Sequence, residues 1–299
     1  MSVPAARLRA QAKVNLALRV GPRSRDGYHE LATIFARIEL ADDVVVRALR
    51  AGISLHVTRN GLPDESVGPA ERNLGVLAAR AYMEEAHWPS GCAIDIEKRI
   101  PVAAGLGGGS ADAGTVLRAL DSLSPTPFGQ ARLTRIASAI GADVPFFTLD
   151  AALALGTGRG DNLEVLEPLA PRWLALVQPR FAVSTADAYA WFDHDRRSSD
   201  TTPLDAEALR VAARDWDALA AVATNDLQPA VAARHPSITF YCDTLRRGGA
   251  SIAMMSGSGS AVFGVFAGEP DVAELARACN APVIATRAPA RVVGHLSNE

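Results

Sequence analysis

A glycine-rich stretch is the feature that most constrains the fold of this chain. Four of the five residues at positions 105–109 are glycine, and a helix-forming segment, residues 110–123, follows directly. Glycine allows a tight turn and places no Cβ between the backbone N–H groups and a ligand. The first N–H groups of a helix are unpaired and carry a partial positive charge. The sequence therefore predicts a phosphate-binding loop that opens a helix.

The stretch differs from two common kinds of phosphate loop. A Walker loop needs Lys and then Ser or Thr after its second glycine, and no Lys stands there. A dinucleotide fingerprint needs glycine at position 110, where this chain has Ser110. A glycine-rich turn that only joins a strand to a helix is the structural alternative.

Bulk composition narrows the class of protein. A length of 299 residues suits one large domain or two modest ones, and 48% hydrophobic with 21% charged residues is typical of a globular enzyme. The net charge of −3 gives no sign of nucleic-acid binding. No apolar run has membrane-spanning length, the first nine residues lack the apolar core of a signal peptide, and nothing implies a protein partner. Three widely spaced cysteines form no disulfide or zinc pattern, which predicts a reduced, cytoplasmic protein.

The order of predicted elements indicates the fold class. Apolar residues alternate with polar ones over residues 8–20, which predicts a strand with Lys13 and Asn15 on its polar face. Spacing alone favours a solvated face for both. Strands and helices then alternate irregularly, so we expect an α+β fold rather than a doubly wound parallel sheet. A glycine-rich segment at residues 156–160 suggests an N-terminal domain at 1–156 and a C-terminal domain at 157–299.

Further elements follow from periodicity and turn signals. The sequence predicts helices at residues 73–85, 110–123, 131–140, 185–192, 205–223, 237–247 and 270–279. It predicts strands at residues 31–40, 43–49, 53–58, 92–96, 151–155, 173–177, 251–255, 261–266 and 282–286.

Asp143 is a candidate proton acceptor. It follows a predicted helix end in an apolar setting, and Pro145 disfavours helix at Val144, so we expect Asp143 in a turn. A carboxylate buried there must be paired, and a cation such as Lys13 would keep it ionised. A turn Asp bonded to its own backbone is the alternative.

Phosphoryl transfer needs only a few groups from a protein. It requires cradled phosphates, a cation over the charge, and an acceptor for the proton of the substrate hydroxyl. Residues 105–110 could cradle the phosphates, Lys13 could supply the cation, and Asp143 could accept the proton. The Ser110 hydroxyl is also a candidate ligand for a Mg²⁺ ion carried by the nucleotide.

The glycine-rich stretch resembles the phosphate loop of the GHMP kinases, small-molecule kinases related to galactokinase, homoserine kinase and mevalonate kinase. It matches their pattern in order at Pro101, Gly105, Leu106, Gly107, Ser110 and Ala111. The resemblance implies a two-domain α+β fold, in which the N-terminal domain binds ATP and the site lies in the cleft between the domains. It also implies that ATP is bound by Asn73, near the adenine, and by Pro101, Val102, Ala103, Ala104, Gly105, Leu106, Gly107, Gly108, Gly109, Ser110 and Ala111.

A second resemblance concerns one branch of that family. The residues Asp26-Gly27-Tyr28-His29-Glu30-Leu31, after residues 12–18, closely resemble the branch that phosphorylates the C2 hydroxyl of a cytidine-diphosphate-linked methylerythritol in non-mevalonate isoprenoid synthesis. The resemblance implies a catalytic pair, Lys13 and Asp143. It also implies contacts to this small-molecule substrate from Asn15, Tyr28, His29, Thr185 and Tyr189, the last covering one face of the cytosine.

Two alternative functions differ in the residues that they require. A GHMP kinase for homoserine or phosphomevalonate would keep the glycine loop but lack the Asp-Gly-Tyr-His motif that this chain has at residues 26–29. A non-catalytic nucleotide-binding protein of the same fold would lack Lys13 or Asp143, and both are present. Two departures from the family are visible. Gly114 stands where Ala is usual, at a cost of up to about 1 kcal/mol unless packing requires it, and no Glu suits the magnesium role known in mevalonate kinases.

Overall fold

The structure, a computed structural model, describes residues 4–25, 27–60, 62–63, 69–195 and 204–292. Asp26 of the Tyr28–His29 motif lies outside these residues. The described strands are β1 (Ala5–Arg23), β2 (His29–Leu49), β3 (Gly52–Arg59), β4 (Leu62–Pro63), β5 (Gly91–Glu97), β6 (Leu153–Gly158), β7 (Asn162–Val165), β8 (Arg172–Val177), β9 (Ile252–Met255), β10 (Val262–Phe266) and β11 (Val283–Ala288). The helices are α1 (Leu74–Ala86), α2 (Gly108–Leu123), α3 (Gln130–Ser138), α4 (Val144–Thr148), α5 (Thr185–Asp195), α6 (Ala206–Ala212), α7 (Trp216–Val222), α8 (Gln228–Arg234), α9 (Ser237–Arg247) and α10 (Val272–Cys279).

The first sheet has seven strands and carries the strand with Lys13. Its order is β4-β3-β5-β2-β6-β7, and β1 pairs with the other side of β2 in antiparallel register. The register of β1 shifts between Gln11 and Lys13 and again between Asn15 and Ala17. Such irregularities turn side chains away from the regular alternation. The expectation of a solvated face is wrong for Lys13 and Asn15, because both are buried.

The second sheet is antiparallel, with the order β11-β8-β10-β9. One face, including Leu174, Leu176 and Phe263, joins the hydrophobic core of the first sheet and α1–α4. The opposite face packs with α5, α8, α9 and α10, and Leu18 of β1 belongs to that second core. Helices and two sheets are thus mixed as predicted, and the α+β class is confirmed. The boundary after residue 156 stays a prediction; residue 156 lies within β6, which pairs with both β2 and β7.

Several predicted elements differ from the observed ones. β2 is one continuous strand where two were predicted, at residues 31–40 and 43–49. The helix predicted at residues 205–223 is two helices, because the Asp215 carboxylate caps α7 by accepting from the N–H groups of Asp217 and Ala218. Helix α4 was not predicted. The expectation that Pro145 disfavours helix at Val144 is wrong, because Val144 begins α4 and Pro145 lies in the first turn, where a helix tolerates proline. Asp143 lies in the turn before α4, as expected. Helix α8 and strand β7 were also missed.

Gly114 lies where α2 approaches α4 most closely. A Cβ at this position would lie 2.5 Å from the Cβ of Phe147 and 2.9 Å from its carbonyl carbon. Packing therefore requires glycine here, which explains the departure from alanine.

We expect Gly114→Ala to lower the free energy of unfolding by about 1–3 kcal/mol, because overpacking outweighs the better helix propensity of alanine. Urea unfolding measures the change. Gly268→Ala is the matched control, since a Cβ there meets nothing within 4 Å. Equal stability of the two variants would contradict this account of Gly114.

Candidate active site

The conformation of the glycine loop, residues 103–109, depends on left-handed backbone angles and on contacts with a second loop. Ala103, Gly105 and Gly107 have φ values of 54°, 73° and 71°. A Cβ on Gly105 would collide with the carbonyl oxygen of Ser256, so only glycine fits there. The Ser256 hydroxyl donates to the Gly105 carbonyl at 2.9 Å. The loop at residues 256–260 thus fixes the glycine loop from the side of the second sheet.

The start of α2 is free to receive an anion. Gly107 is the N-cap residue, and no side chain in the described part of the chain caps α2. The first N–H groups of the helix therefore lack the side-chain acceptor that usually satisfies them. They face a cleft of about 560 Å³. A phosphate group fits the charge and the hydrogen-bonding capacity of this helix end.

Most of the predicted site residues line that one cleft. They are Lys13, Asn15, Asn73, Pro101, Val102, Ala103, Ala104, Gly105, Leu106, Gly107, Gly108, Gly109, Ser110, Asp143, Thr185 and Tyr189. Ala111 is buried behind the loop. Tyr28 and His29 lie beside the cleft rather than in its lining, through contacts with Arg159 and Tyr189.

Lys13 and Asp143 form an ion pair in the cleft. The Lys13 Nζ lies 3.3 Å from the Asp143 Oδ2, and the Lys13 side chain is 4% exposed against 35% for Asp143. Lys13 Nζ also donates to Asn15 Oδ1 at 2.7 Å. The backbone N–H of Lys13 donates to the Leu106 carbonyl at 3.0 Å, which ties the strand to the glycine loop. The pair combines a fixed cation with a carboxylate that solvent, or a substrate hydroxyl, can reach.

A buried arginine supports the segment that carries Asp143. Arg37 of β2 lies opposite Lys13 in the register and donates to the carbonyl groups of Phe146, Leu149 and Ala151. Burial lowers its pKa to about 9, so it remains a cation at neutral pH. A cation at these carbonyls stabilises the end of α4. No sequence signal indicates this role, because Arg37 lies in an ordinary strand pattern.

A buried ionic cluster lies beneath the glycine loop and was also missed. Lys98 Nζ donates to Asp112 Oδ2 of α2 at 2.7 Å and to Asp42 Oδ2 of β2. Burial alone would lower the pKa of Lys98, but the Asp112 and Asp42 carboxylates raise it above its usual value. Burial raises the pKa of Asp112 well above that of an exposed carboxyl group. Lys98 and Asp112 both line the cleft, so the cluster forms part of its base.

Aromatic rings lie on one side of the cleft, with Tyr189 in its lining and Tyr28 and His29 beside it. Thr185 Oγ1 lies 3.1 Å from Ser258 Oγ, which joins the start of α5 to the loop at residues 256–260. Tyr189, one turn further along α5, lies 5.2 Å from the ring of His29 between ring centroids. Burial, together with the nearby Asp143 charge, raises the pKa of Tyr189, so its hydroxyl stays protonated. Tyr28 is 55% exposed, and its ring lies 3.8 Å beneath the Arg159 guanidinium carbon.

The described side chains offer no ready-made metal centre. Across the residues that the structure describes, no three His, Cys, Asp or Glu side chains converge as metal ligands. Ser110 contributes one hydroxyl group to the cleft lining. None of the described helices combines the length and the apolar character that crossing a membrane would need.

Matches to known proteins define the class to which this fold and cleft belong. Residues 73–151 match the GHMP kinases N terminal domain, and residues 206–285 match the GHMP kinases C terminal. The chain belongs to the GHMP kinases, the ATP-dependent kinases of small molecules.

Relatives within that family identify the branch. The 4-diphosphocytidyl-2-C-methyl-D-erythritol kinases of Desulfotalea psychrophila and Moorella thermoacetica are each 40% identical over 262 residues, 87% of this chain and 85% and 90% of those proteins. A crystal structure of 4-(cytidine 5'-diphospho)-2C-methyl-D-erythritol kinase has a TM-score of 0.76 at 37% identity, covering 94% of this chain and 98% of that one. The branch is therefore that of the 4-diphosphocytidyl-2-C-methyl-D-erythritol kinases.

A more distant structure shows how widely the fold is shared. Homoserine kinase from Cytophaga hutchinsonii has a TM-score of 0.73 at 17% identity, covering 98% of this chain and 97% of that one. At this identity the likeness concerns the fold alone and carries no information about the acceptor.

Proposed function

We propose that this protein transfers the γ-phosphate of ATP to the C2 hydroxyl of 4-diphosphocytidyl-2-C-methyl-D-erythritol, with Lys13 and Asp143 as the catalytic pair. The observation that carries the proposal is their 3.3 Å ion pair in the cleft that the glycine loop lines. The bond from the Lys13 N–H to the Leu106 carbonyl supports it, because it couples the pair to the phosphate loop.

Each group has a defined task in this mechanism. The N–H groups of residues 105–110 hold the phosphates of ATP. Asp143 accepts the proton of the substrate hydroxyl as the oxygen attacks the γ-phosphorus. Lys13 stabilises negative charge on the Asp143 carboxylate, 3.3 Å away, and on the attacking oxygen. Asn15 fixes the Lys13 ammonium group by accepting its hydrogen bond at 2.7 Å, so the cation is positioned before the substrate binds.

In this proposal the magnesium ion is carried into the cleft by ATP. The Ser110 hydroxyl fits this ion, because oxygen is the ligand type that Mg²⁺ prefers and the residue lies in the first turn of the phosphate-binding helix. When bound, Mg²⁺ neutralises charge on the phosphates during transfer. Ser110 is the residue of this chain that would hold the ion, through its hydroxyl oxygen.

The two ends of the cleft bind the two substrates. Asn73 caps α1 through its side-chain oxygen, 2.9 Å from the N–H of Gly75, so its amide nitrogen is the group that it offers to adenine. The cytidine end is formed by Tyr28, His29 and Tyr189, with Thr185 and Asn15 toward the reacting groups. Aromatic rings there suit the flat face of a pyrimidine base.

Two further assignments are part of this proposal. The cysteines Cys92, Cys242 and Cys279 are all buried and unpaired, in keeping with a reducing compartment, and we place the protein in the cytoplasm. We also keep residues 1–156 and 157–299 as the two domains, each built around one of the two sheets for most of its length.

A coupled ADP-release assay tests the reaction. We expect turnover with ATP, magnesium and 4-diphosphocytidyl-2-C-methyl-D-erythritol, and no more than background release when mevalonate or homoserine replaces that acceptor. The unmatched acceptors are the control for contaminating ATPase activity. Silence with the cytidine substrate, alongside measurable ATP binding, would overturn the acceptor assignment. ATP binding without turnover on any acceptor would favour a non-catalytic nucleotide-binding protein.

A further inference from the structure

Both ring nitrogens of His29 face acceptors within the protein. Nδ1 lies 2.9 Å from the carbonyl oxygen of Gly21, and Nε2 lies 3.2 Å from Oδ1 of Asp193. A carbonyl oxygen only accepts, so Nδ1 carries a hydrogen. The Asp193 side chain holds the other edge of the ring through Nε2, so both ring nitrogens have a partner within the protein. The protein itself thus occupies both nitrogens of this buried ring.

His29 stands where three elements meet. It follows Tyr28 at the start of β2, and its bond to Gly21 reaches the end of β1. Its ring contacts two rings of α5, Tyr189 at 5.2 Å and Phe192 at 5.8 Å between centroids. Asp193 lies one turn after Tyr189 on the same helix, so its contact with His29 ties α5 to the start of β2, directly after Tyr28. The charged group of Arg23 also lies 4.0 Å from Asp193.

We propose that Asp193 is a positioning residue for the nucleobase end of the cleft. By holding the His29 ring between β1 and α5, it fixes the separation of Tyr28 and Tyr189, and so the width of the slot that a cytidine base enters. The inference rests on the proposed function for the identity of the base. It also assigns His29 a particular way of contacting substrate, through its ring face and backbone, because Gly21 and Asp193 occupy both ring nitrogens.

Binding of CDP tests this role without requiring turnover. In calorimetry, we expect Asp193→Ala to weaken CDP binding about tenfold and to leave Mg-ATP binding within twofold, because the slot loses its fixed width. Asp193→Asn keeps an oxygen that accepts from Nε2, so we expect it to bind CDP within threefold of the wild type. Asp187→Ala, on the exposed face of the same helix, is the matched control and should leave CDP binding unchanged.

The outcomes separate this inference from the proposed function. Equal CDP binding by wild type and Asp193→Ala would overturn the role of Asp193 and leave the reaction standing. Loss of both CDP and Mg-ATP binding in both Asp193 variants would overturn it too, since that is a general structural defect. If CDP binding depends on Asp193 but the cytidine substrate is not turned over, the inference stands and the proposed reaction is wrong. A wild type that binds no CDP would overturn both.

Discussion

Replacing Asp143 with asparagine is expected to lower kcat by about 10²- to 10⁴-fold, the range of a lost general base. Asparagine keeps the shape of the side chain but cannot take the proton from the substrate hydroxyl. We expect KM for ATP and for the cytidine substrate to change less than about threefold, because the loss falls on the transition state rather than on binding. Steady-state kinetics of ADP release on the purified variant measures both quantities.

A nearby carboxylate supplies the control for Asp143. Asp150 follows α4, is exposed and does not line the cleft, so Asp150→Asn should keep kcat within twofold. Asp143 is itself 35% exposed, and its loss should leave the fold intact, which circular dichroism and an unfolding curve will show. A kcat near that of the wild type in Asp143→Asn would mean that the proton leaves by another route, for example directly to a phosphate oxygen.

The sequence was informative where one local pattern determines the structure. The glycine loop and the helix that follows it were predicted from the residues at 105–123, and α2 begins two residues earlier than expected. The alternation at residues 8–20 was correct as a strand. It could not show that Lys13 is buried, because alternation tells which side chains share a face and not what covers that face. The cover comes from distant parts of the chain, the carbonyl of Leu106 and the side chain of Asp143.

Family resemblance supplied what local patterns could not. Lys13 and Asp143 are far apart in the chain, and no rule of sequence spacing predicts that they lie 3.3 Å apart. The likeness to the GHMP kinases predicted this pair. Neither source indicated Asp193, because its partner His29 is distant in sequence and its helix position is unremarkable by periodicity. The same holds for Lys98, a single lysine after a strand whose two carboxylate partners lie on β2 and α2.

Replacing Lys98 with methionine is expected to lower the free energy of unfolding by about 3–5 kcal/mol, the cost of leaving buried charges without their partner. Asp42 and Asp112 are almost fully buried, and Lys98 is the cation between them. The Oδ1 of Asp112 has no hydrogen-bond partner among the described residues, so Lys98 is its main stabilising contact. Asp42 keeps the N–H groups of Arg99 and Ile100, at 2.5 and 2.8 Å. Urea unfolding at pH 8 measures the loss.

The neighbouring Arg99 is the matched control for Lys98. Its guanidinium pairs with Asp43 at 2.8 Å but is half exposed, so Arg99→Met should cost less than about 1 kcal/mol. The deficit of Lys98→Met should shrink as the pH falls, because without the ammonium group the folded state gains stability by protonating its buried carboxylates. Adding Asp112→Asn should recover part of it at pH 8, since one of the two buried charges is then gone. A deficit equal to that of Arg99→Met, or one that grows toward low pH, would show that the cluster does not carry the net buried charge inferred from its geometry.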